Sequence, residues 1–86
     1  MEWRASHILV DSQDLARKIK RELQQGARFE ELARRYSSCP SKSKGGDLGW
    51  FGEGKMAREF ENACRKLGRG TISDPVRTQF GHHIIK

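Results

Sequence analysis

The spacing of apolar side chains in the first third of the chain predicts a strand followed by a helix. Residues 4–10 form a short run rich in Ile, Leu and Val, which is typical of a largely buried strand. Apolar residues then recur every three or four positions, as on one face of a helix. This spacing predicts a helix over residues 13–25, with Ser12 or Asp11 at its N-terminus and Gly26 just after its C-terminus.

The pattern continues with two further helices separated by a loop and a strand. The helical spacing repeats over residues 29–37, whereas residues 38–47 are rich in Ser, Lys and Gly and show no period, which indicates a loop. Residues 47–52 read as a strand whose glycines permit close approach of another backbone or a ligand. Apolar residues at helical spacing between 60 and 67 predict a third helix closed by Gly68.

Two final strands are predicted over residues 71–76 and 82–86. Pro75 has no amide hydrogen, so its strand lies at an edge of the sheet or begins at that residue. Neighbouring strand residues point to opposite faces, and both Ile84 and Ile85 are apolar, which predicts a central strand covered on both sides. The mixture of helices and a small sheet indicates an α+β fold with helices on both faces.

Length, charge and cysteine content restrict the class of protein. A chain of 86 residues allows one domain, residues 1–86, and we expect a monomer. The net charge of +6 is dispersed, without a basic tail or aromatic series, so we expect no nucleic acid as the main partner. Neither a signal peptide nor a membrane-spanning run is present, and two cysteines without a CxxC motif predict reduced thiols in the cytoplasm.

Two histidines on the first and last strands are the first candidates for chemistry. If these strands are neighbours, His7 and His83 can face each other across the sheet at roughly 5 Å, whereas His82 points to the other face. A zinc site is the alternative for three histidines and two cysteines, but neither CxxC nor HxxxH is present. We therefore expect no metal and no cofactor.

A cysteine and a group of apolar residues complete the candidate site. Cys39 begins the loop and raises the alternative of a thiol nucleophile activated by histidine, although neither an oxyanion hole nor an orienting Asn or Asp is evident. Leu48, Phe51, Met56 and Phe60 lie close in sequence and form a candidate apolar pocket about the size of a proline ring, with a core role as the equal alternative for Phe51. Cys64 falls on the apolar face of the third helix and is interpreted as a core residue.

Four segments together make the chain resemble the parvulins, small peptidyl-prolyl cis-trans isomerases. The family's motifs match Ser6-His7-Ile8-Leu9-Val10, Gly45-Gly46-Asp47-Leu48-Gly49, the pair Met56 and Phe60, and Gly81-His82-His83-Ile84-Ile85. Each motif is weak alone, but their order and spacing are highly specific. Cys39-Pro40-Ser41 and Thr78-Gln79-Phe80-Gly81 look most like the short, free-standing bacterial-type parvulins of the cytoplasm.

The resemblance implies both a fold and a site. The fold would be FKBP-like, in the order β-α-α-α-β-α-β-β, with a four-stranded antiparallel sheet surrounded by helices. The implied catalytic residues are His7, Cys39, Thr78 and His83, and the implied substrate-binding residues are Leu48, Met56, Phe60 and Phe80.

The same resemblance implies non-covalent isomerisation of X-Pro bonds in polypeptides, which would assist protein folding. Phosphate-directed relatives carry a long basic loop after the first strand, whereas only Asp11 and Ser12 separate the first strand from the first helix here, so phospho-specificity is not expected. The alternative is a parvulin-like module that binds peptides as a chaperone without catalysis.

Overall fold

The structure is a computed structural model that describes residues 2–68 and 70–86. In this part of the chain four strands, three α-helices and one short 3₁₀ helix follow one another. They are β1 (Glu2–Val10), α1 (Gln13–Gln24), α2 (Phe29–Tyr36), the 3₁₀ helix (Pro40–Lys44), β2 (Asp47–Gly52), α3 (Arg58–Lys66), β3 (Val76–Thr78) and β4 (Gly81–Ile85). Within the described residues, no helix has the combination of length and apolar character needed to cross a bilayer.

The four strands form one antiparallel sheet in the order β2-β1-β4-β3. The first and last strands are therefore neighbours at the centre of the sheet, which fulfils the condition for a meeting of His7 and His83, and the predicted central position of the last strand is confirmed. Ile84 and Ile85 are both fully buried, and they pack into different apolar clusters on opposite faces. β3 lies at the edge and begins directly after Pro75, in agreement with the missing amide donor of that residue.

Each face of the sheet is covered by helices. On one face, α1 and α2 pack against the strands through a cluster that includes Ile8, Val10 and Ile84. On the other face, α3 packs through Phe60 against Phe51 and Ile85. The predicted α+β architecture with helices on both faces is confirmed.

Local sequence explains where the first helix begins and why the chain passes close to β1. The side chain of Ser12 accepts a hydrogen bond from the Leu15 amide at 3.2 Å and thereby caps α1. Gly46 has a φ of +90°, and a Cβ atom at this position would lie 2.5 Å from the carbonyl oxygen of His7. Only glycine permits this approach, in which the His7 amide donates to the Gly46 carbonyl at 2.9 Å.

Two sequence predictions differ from the structure. The predicted loop 38–47 contains the 3₁₀ helix Pro40–Lys44, which starts at a proline because that residue fits the first position of a helix; it is the third helix of the order implied by the resemblance. The strand predicted over residues 71–76 is wrong for residues 71–75. The Ser73 amide donates to the Ile85 carbonyl at 2.8 Å, but the Ile85 amide donates to the Ser73 hydroxyl at 2.9 Å and not to its backbone, so no regular ladder forms. Pro75 has no amide hydrogen with which to continue the pairing.

Candidate active site

A buried pair of histidines lies at the centre of the sheet on the face covered by α3. The register pairs His7 with Ile85 and Leu9 with His83, so the two histidines are diagonal neighbours rather than directly opposite. Their rings nevertheless stack with centroids 5.1 Å apart, and their Nδ1 atoms are 2.9 Å apart. The predicted meeting of the two side chains is therefore confirmed. The predicted direct facing across the strands is wrong, because Ile85 is opposite His7 and His83 lies two residues away from that position.

The hydrogen bonds around the pair link Thr78, His83 and His7 in one chain. Among the described residues, the Thr78 hydroxyl accepts a hydrogen bond from the Phe80 amide at 3.1 Å and also contacts His83 Nε2 at 2.7 Å. The hydroxyl has both a proton and a second lone pair for His83, so the tautomer of His83 sets the direction of this bond and of the bond between the two Nδ1 atoms. His7 Nε2 is a buried atom without a hydrogen-bond partner in the described part of the chain.

Burial keeps both rings neutral at physiological pH. His7 and His83 are only 5% and 4% exposed. Burial, and then repulsion from His83 when that ring is charged, lower the pKa of His7 to about 4. Burial, and then the charge of His82, lower the pKa of His83 to about 4. The site therefore presents neutral imidazoles whose polar atoms are occupied mainly by each other and by Thr78.

Cys39 is positioned by the segment that follows α2. The hydroxyl of the buried Ser37 accepts hydrogen bonds from the amides of Leu9, at 3.0 Å, and Cys39, at 3.3 Å. The Ser38 amide donates to the Leu9 carbonyl at 2.8 Å, which adds a second attachment to β1. The Cys39 sulfur accepts a hydrogen bond from the Ser41 hydroxyl at 3.3 Å and makes no hydrogen bond to either histidine among the described residues.

An apolar cavity of about 410 Å³ lies over the histidine pair. Phe60 forms its floor; the ring is 2% exposed and meets both histidine rings edge to face, at centroid distances of 5.6 Å for His7 and 5.3 Å for His83. Phe80 stands at the mouth and is 63% exposed. The complete lining is His7, Leu9, Ser38, Cys39, Pro40, Leu48, Lys55, Met56, Ala57, Phe60, Phe80 and His83.

Comparison with protein families places this cavity in a known context. The rotamase model for a PPIC-type PPIASE domain matches residues 7–86, which includes every residue of the cavity lining. The chain belongs to this family. A PPIC-type domain is a peptidyl-prolyl isomerase domain, so the parvulin resemblance of the sequence is confirmed, together with the class of enzyme that it implies.

Individual relatives agree with the family assignment. Foldase protein PrsA 1 of Bacillus cereus is 57% identical over 86 residues, which cover 99% of this chain and 30% of the relative. The crystal structure of the peptidylprolyl isomerase PrsA from Bacillus anthracis has a TM-score of 0.97 at 55% identity and covers 99% of this chain and 40% of its own. The solution structure of NmPin, the parvuline of Nitrosopumilus maritimus, has a TM-score of 0.87 at 42% identity, with 99% and 92% covered. The chain thus spans about three tenths of the length of the curated relatives it matches.

The PPIC-type fold brings most of the predicted site residues together. Seven of them line the cavity, namely His7, Cys39, Leu48, Met56, Phe60, Phe80 and His83. Thr78 does not line the cavity; its hydroxyl is hydrogen-bonded to His83, which does. His82 pairs with Val10, which packs in the apolar cluster on the opposite face, and takes no part in the cavity, as predicted.

Sequence reasoning missed other residues that line or support the cavity. Leu9 lies two residues after His7 on β1, so strand alternation was a sufficient signal to place it on the same face. Lys55 and Ala57 flank Met56 in the turn between β2 and α3. Neither helical nor strand periodicity applies to a turn, so the sequence offered no signal for their side chains. Ser37 acts through its backbone partners on β1, and these contacts are visible only in the folded chain.

The arrangement suits recognition of an apolar, ring-sized group rather than metal binding. Residues 2–68 and 70–86 contain no cluster of three or more His, Cys, Asp or Glu side chains suited to a metal ion. The Nδ1 atoms of His7 and His83, which would be two of the ligands of a metal ion, are hydrogen-bonded to each other. Cys64 lies in the packing around Phe51 and Phe60 on the same side of the sheet, where burial and the charge of Glu61 raise the pKa of its thiol.

Proposed function

We propose that this domain accelerates cis-trans rotation about X-Pro peptide bonds in polypeptides, with the prolyl ring seated against Phe60. The observation that carries the proposal is the apolar cavity whose floor is Phe60 and whose inner wall is the neutral pair His7 and His83. With about 410 Å³, the cavity exceeds a proline ring and leaves room for part of the adjoining backbone.

An apolar seat of this kind favours the twisted amide over the planar forms. Rotation about an X-Pro bond faces a barrier of about 18–20 kcal/mol because resonance is lost in the twisted state. An acceleration of about 10⁵-fold requires about 7 kcal/mol of preference for that state. The planar amide is the more dipolar form, so removing water from its carbonyl group inside an apolar cavity raises its free energy relative to the twisted form.

The polar residues fix the orientation of the rings that line the cavity and contribute to the electric field inside it. The chain of hydrogen bonds from Thr78 through His83 to His7 fixes both rings edge-on to Phe60. Cys39 contributes a polarisable sulfur at the rim of the cavity. Rotation breaks no covalent bond, so no acyl-enzyme is formed at Cys39, and a stable adduct with a turned-over prolyl peptide in mass spectrometry would contradict this mechanism.

Charge around the cavity supports a substrate class without phosphate. Among residues 2–68 and 70–86, Lys55 is the only Lys or Arg residue in the lining, and it belongs to an exposed turn. Recognition of a phosphate group normally uses a cluster of arginines, because the guanidinium group binds its oxygens in pairs. β1 also leads into α1 through Asp11 and Ser12 alone. We therefore propose unphosphorylated proline-containing polypeptides as substrates, and assistance of their folding as the role.

Domain extent, oligomeric state and location complete the proposal. We propose that residues 1–86 are one domain that works as a monomer, without nucleic acid or membrane as its main partner. Both cysteines are free thiols, which accords with the reducing cytoplasm proposed from the sequence. Light scattering of the purified domain tests the monomer, and fractionation of cells that express the natural gene tests the location. A dimer in the first measurement, or an extracytoplasmic signal in the second, would contradict the corresponding part.

The decisive experiment is NMR exchange spectroscopy on a series of short X-Pro peptides, with and without catalytic amounts of the domain. We expect faster exchange between cis and trans signals, with no advantage for phosphoserine or glutamate before proline. Shifted peptide signals without faster exchange would instead support the alternative of a binding module without catalysis.

A further inference from the structure

The turn between β2 and α3 supplies a large part of the cavity wall but has little support of its own. Residues 53–57 contain Lys55, Met56 and Ala57, all of which line the cavity. The backbone bond of this turn, from the Lys55 amide to the Gly52 carbonyl, is long at 3.4 Å. Gly54 has a φ of +81°, a conformation that glycine allows but does not enforce. Another part of the fold must therefore hold the turn in place.

Glu61 provides that support from the first turns of α3. Its carboxylate accepts a hydrogen bond from the Gly54 amide at 3.1 Å, through Oε2. The residue is only 9% exposed, and it directly follows Phe60, the floor of the cavity. A buried carboxylate is costly unless it is hydrogen-bonded and paired, so this contact is a specific feature of the fold and not an incidental surface bond.

Arg65 completes the attachment one helical turn later. Its guanidinium group lies 3.6 Å from Glu61 Oε1 and 3.7 Å from Glu53 Oε1, and it therefore joins the helix to the start of the same turn. The group also lies over the ring of Trp3 on β1, with 5.5 Å between Cζ and the ring centroid. Helix, turn and sheet thus meet around the pair formed by Glu61 and Arg65.

We propose that Glu61 is a positioning residue for the isomerase: by accepting a hydrogen bond from the Gly54 amide, it holds the turn that places Met56 in the wall of the prolyl cavity. The inference rests on the proposed function for its catalytic consequence. Its structural part, the attachment of the turn, stands without it.

Two substitutions separate the hydrogen bond from charge and packing. Glu61→Gln and Glu61→Met both remove the charge and both keep an unbranched side chain that suits a helix, but only glutamine retains an acceptor for the Gly54 amide. Glu59→Met is the matched control, because Glu59 lies on the same helix and is exposed. Far-UV circular dichroism and thermal unfolding define conditions under which each variant is fully folded.

We expect Glu61→Met to lower kcat/KM about tenfold, the size expected for loss of one charged hydrogen bond, and Glu61→Gln to stay within about threefold of the parent. Hydrogen exchange of the Gly54 amide should quicken by a similar factor in Glu61→Met alone, and the Met56 methyl signal should shift with it. Glu59→Met should change none of these quantities. Equal losses in the Gln and Met variants, or an unchanged Gly54 exchange rate in folded Glu61→Met, would overturn the proposal.

Measurements on the parent domain keep the inference testable if Glu61→Met does not fold. Gly54 exchange at the rate of a free amide would overturn it, whereas protection of that amide would support it. If the parent fails to isomerise peptides, the proposed function fails, but the Gly54 exchange rate and the Met56 methyl signal still decide whether Glu61 holds the turn.

Discussion

The two faces of the central strands use the same backbone for different purposes. On the face under α1 and α2, β1 and β4 present Ile8, Val10 and Ile84, which pack in an apolar cluster with side chains of the two helices. On the face under α3 the alternate residues include His7 and His83, whose polar atoms are buried beside Phe60. One face is a simple core, and the other combines a core with a polar site.

This difference shows how a small domain tolerates a costly site. Buried imidazoles must satisfy their nitrogen atoms, and His7 Nε2 remains without a partner among the described residues, which lowers stability. On the other face the comparable atom is Glu22 Oε2, which belongs to helix α1 and not to the central strands. The fully buried isoleucines of that face hold the register of β1 against β4. Changes on the apolar face should therefore act on stability, and changes on the polar face on both stability and catalysis.

The largest effect is expected from Phe60→Ala. Loss of this buried ring should lower the free energy of unfolding by about 3–5 kcal/mol. It should also lower kcat/KM about 10- to 100-fold per folded molecule, because the prolyl ring loses its apolar floor. Urea denaturation and NMR exchange spectroscopy measure the two quantities separately.

A milder pair of variants controls for loss of fold in that experiment. Phe60→Leu and Ile84→Val should each cost about 1 kcal/mol of stability, because each keeps most of the buried volume. Only Phe60→Leu should lower kcat/KM. Equal activities in the two variants would contradict the assignment of Phe60 to the substrate cavity.

The next effect is a loss of stability in acid that originates on the polar face. The pKa of His7 and of His83 is lowered to about 4 in the folded protein, against 6.5 for the ordinary side chain. Between these values the unfolded chain binds protons that the folded protein does not. The free energy of unfolding should therefore fall as the pH drops from 6.5 to about 4, by at most about 1.4 kcal/mol per pH unit for each ring.

Urea denaturation between pH 7 and pH 4 measures that slope, and the ring Cε1 proton signals of the two histidines report their protonation directly. His82→Gln, on the apolar face of the same strand, should leave most of the slope in place. A folded-state titration midpoint near 6.5 for either His7 or His83 would show that the pair is not desolvated as the structure indicates.

The sequence was sufficient for most of the elements and for the central position of the last strand. Ile84 and Ile85 identified β4 as central because adjacent strand residues face opposite sides, and the spacing of Leu15, Ile19 and Leu23 placed α1 to within one residue at its C-terminus. The strand over residues 71–76 was predicted because β-branched residues favour extended backbone. The prediction failed for residues 71–75 because a strand also needs a continuous hydrogen-bonded partner, and Pro75 lacks the amide hydrogen for it.

The candidate site was predictable in composition but not in geometry. The histidines and the apolar candidates Leu48, Met56 and Phe60 were recognisable as residue types at set spacings. The diagonal register of the histidines and the contact of Thr78 with His83 depend on the pairing of β1 with β4 and of β3 with β4, which becomes visible only in the folded chain. The role of Glu61 escaped the sequence because a glutamate in the first turns of a helix is ordinarily a solvated residue.

A smaller effect is expected from Thr78→Val, which removes the hydroxyl beside His83 without changing the shape of the site. His83 Nε2 loses its hydrogen-bond partner, so we expect a cost of about 1–3 kcal/mol in stability and a change in the tautomer populations of the pair. Long-range ¹⁵N–¹H spectra of the rings identify the tautomers. Thr78→Ser keeps the hydroxyl and should resemble the parent; a tautomer change in that variant as well would show that the methyl group, not the hydroxyl, orders the pair.

The smallest effect should come from Cys39→Ala, since Cys39 lies at the rim of the cavity and is not hydrogen-bonded to the histidines. Its only side-chain hydrogen bond among the described residues is with Ser41, and that bond is weak because sulfur is a poor acceptor. We expect kcat/KM to fall less than it does for Phe60→Ala, by about threefold or less, equivalent to under about 1 kcal/mol. Peptide exchange spectroscopy at matched concentrations of folded protein compares the two. A larger loss for Cys39→Ala than for Phe60→Ala would move the centre of catalysis from the apolar floor to the thiol.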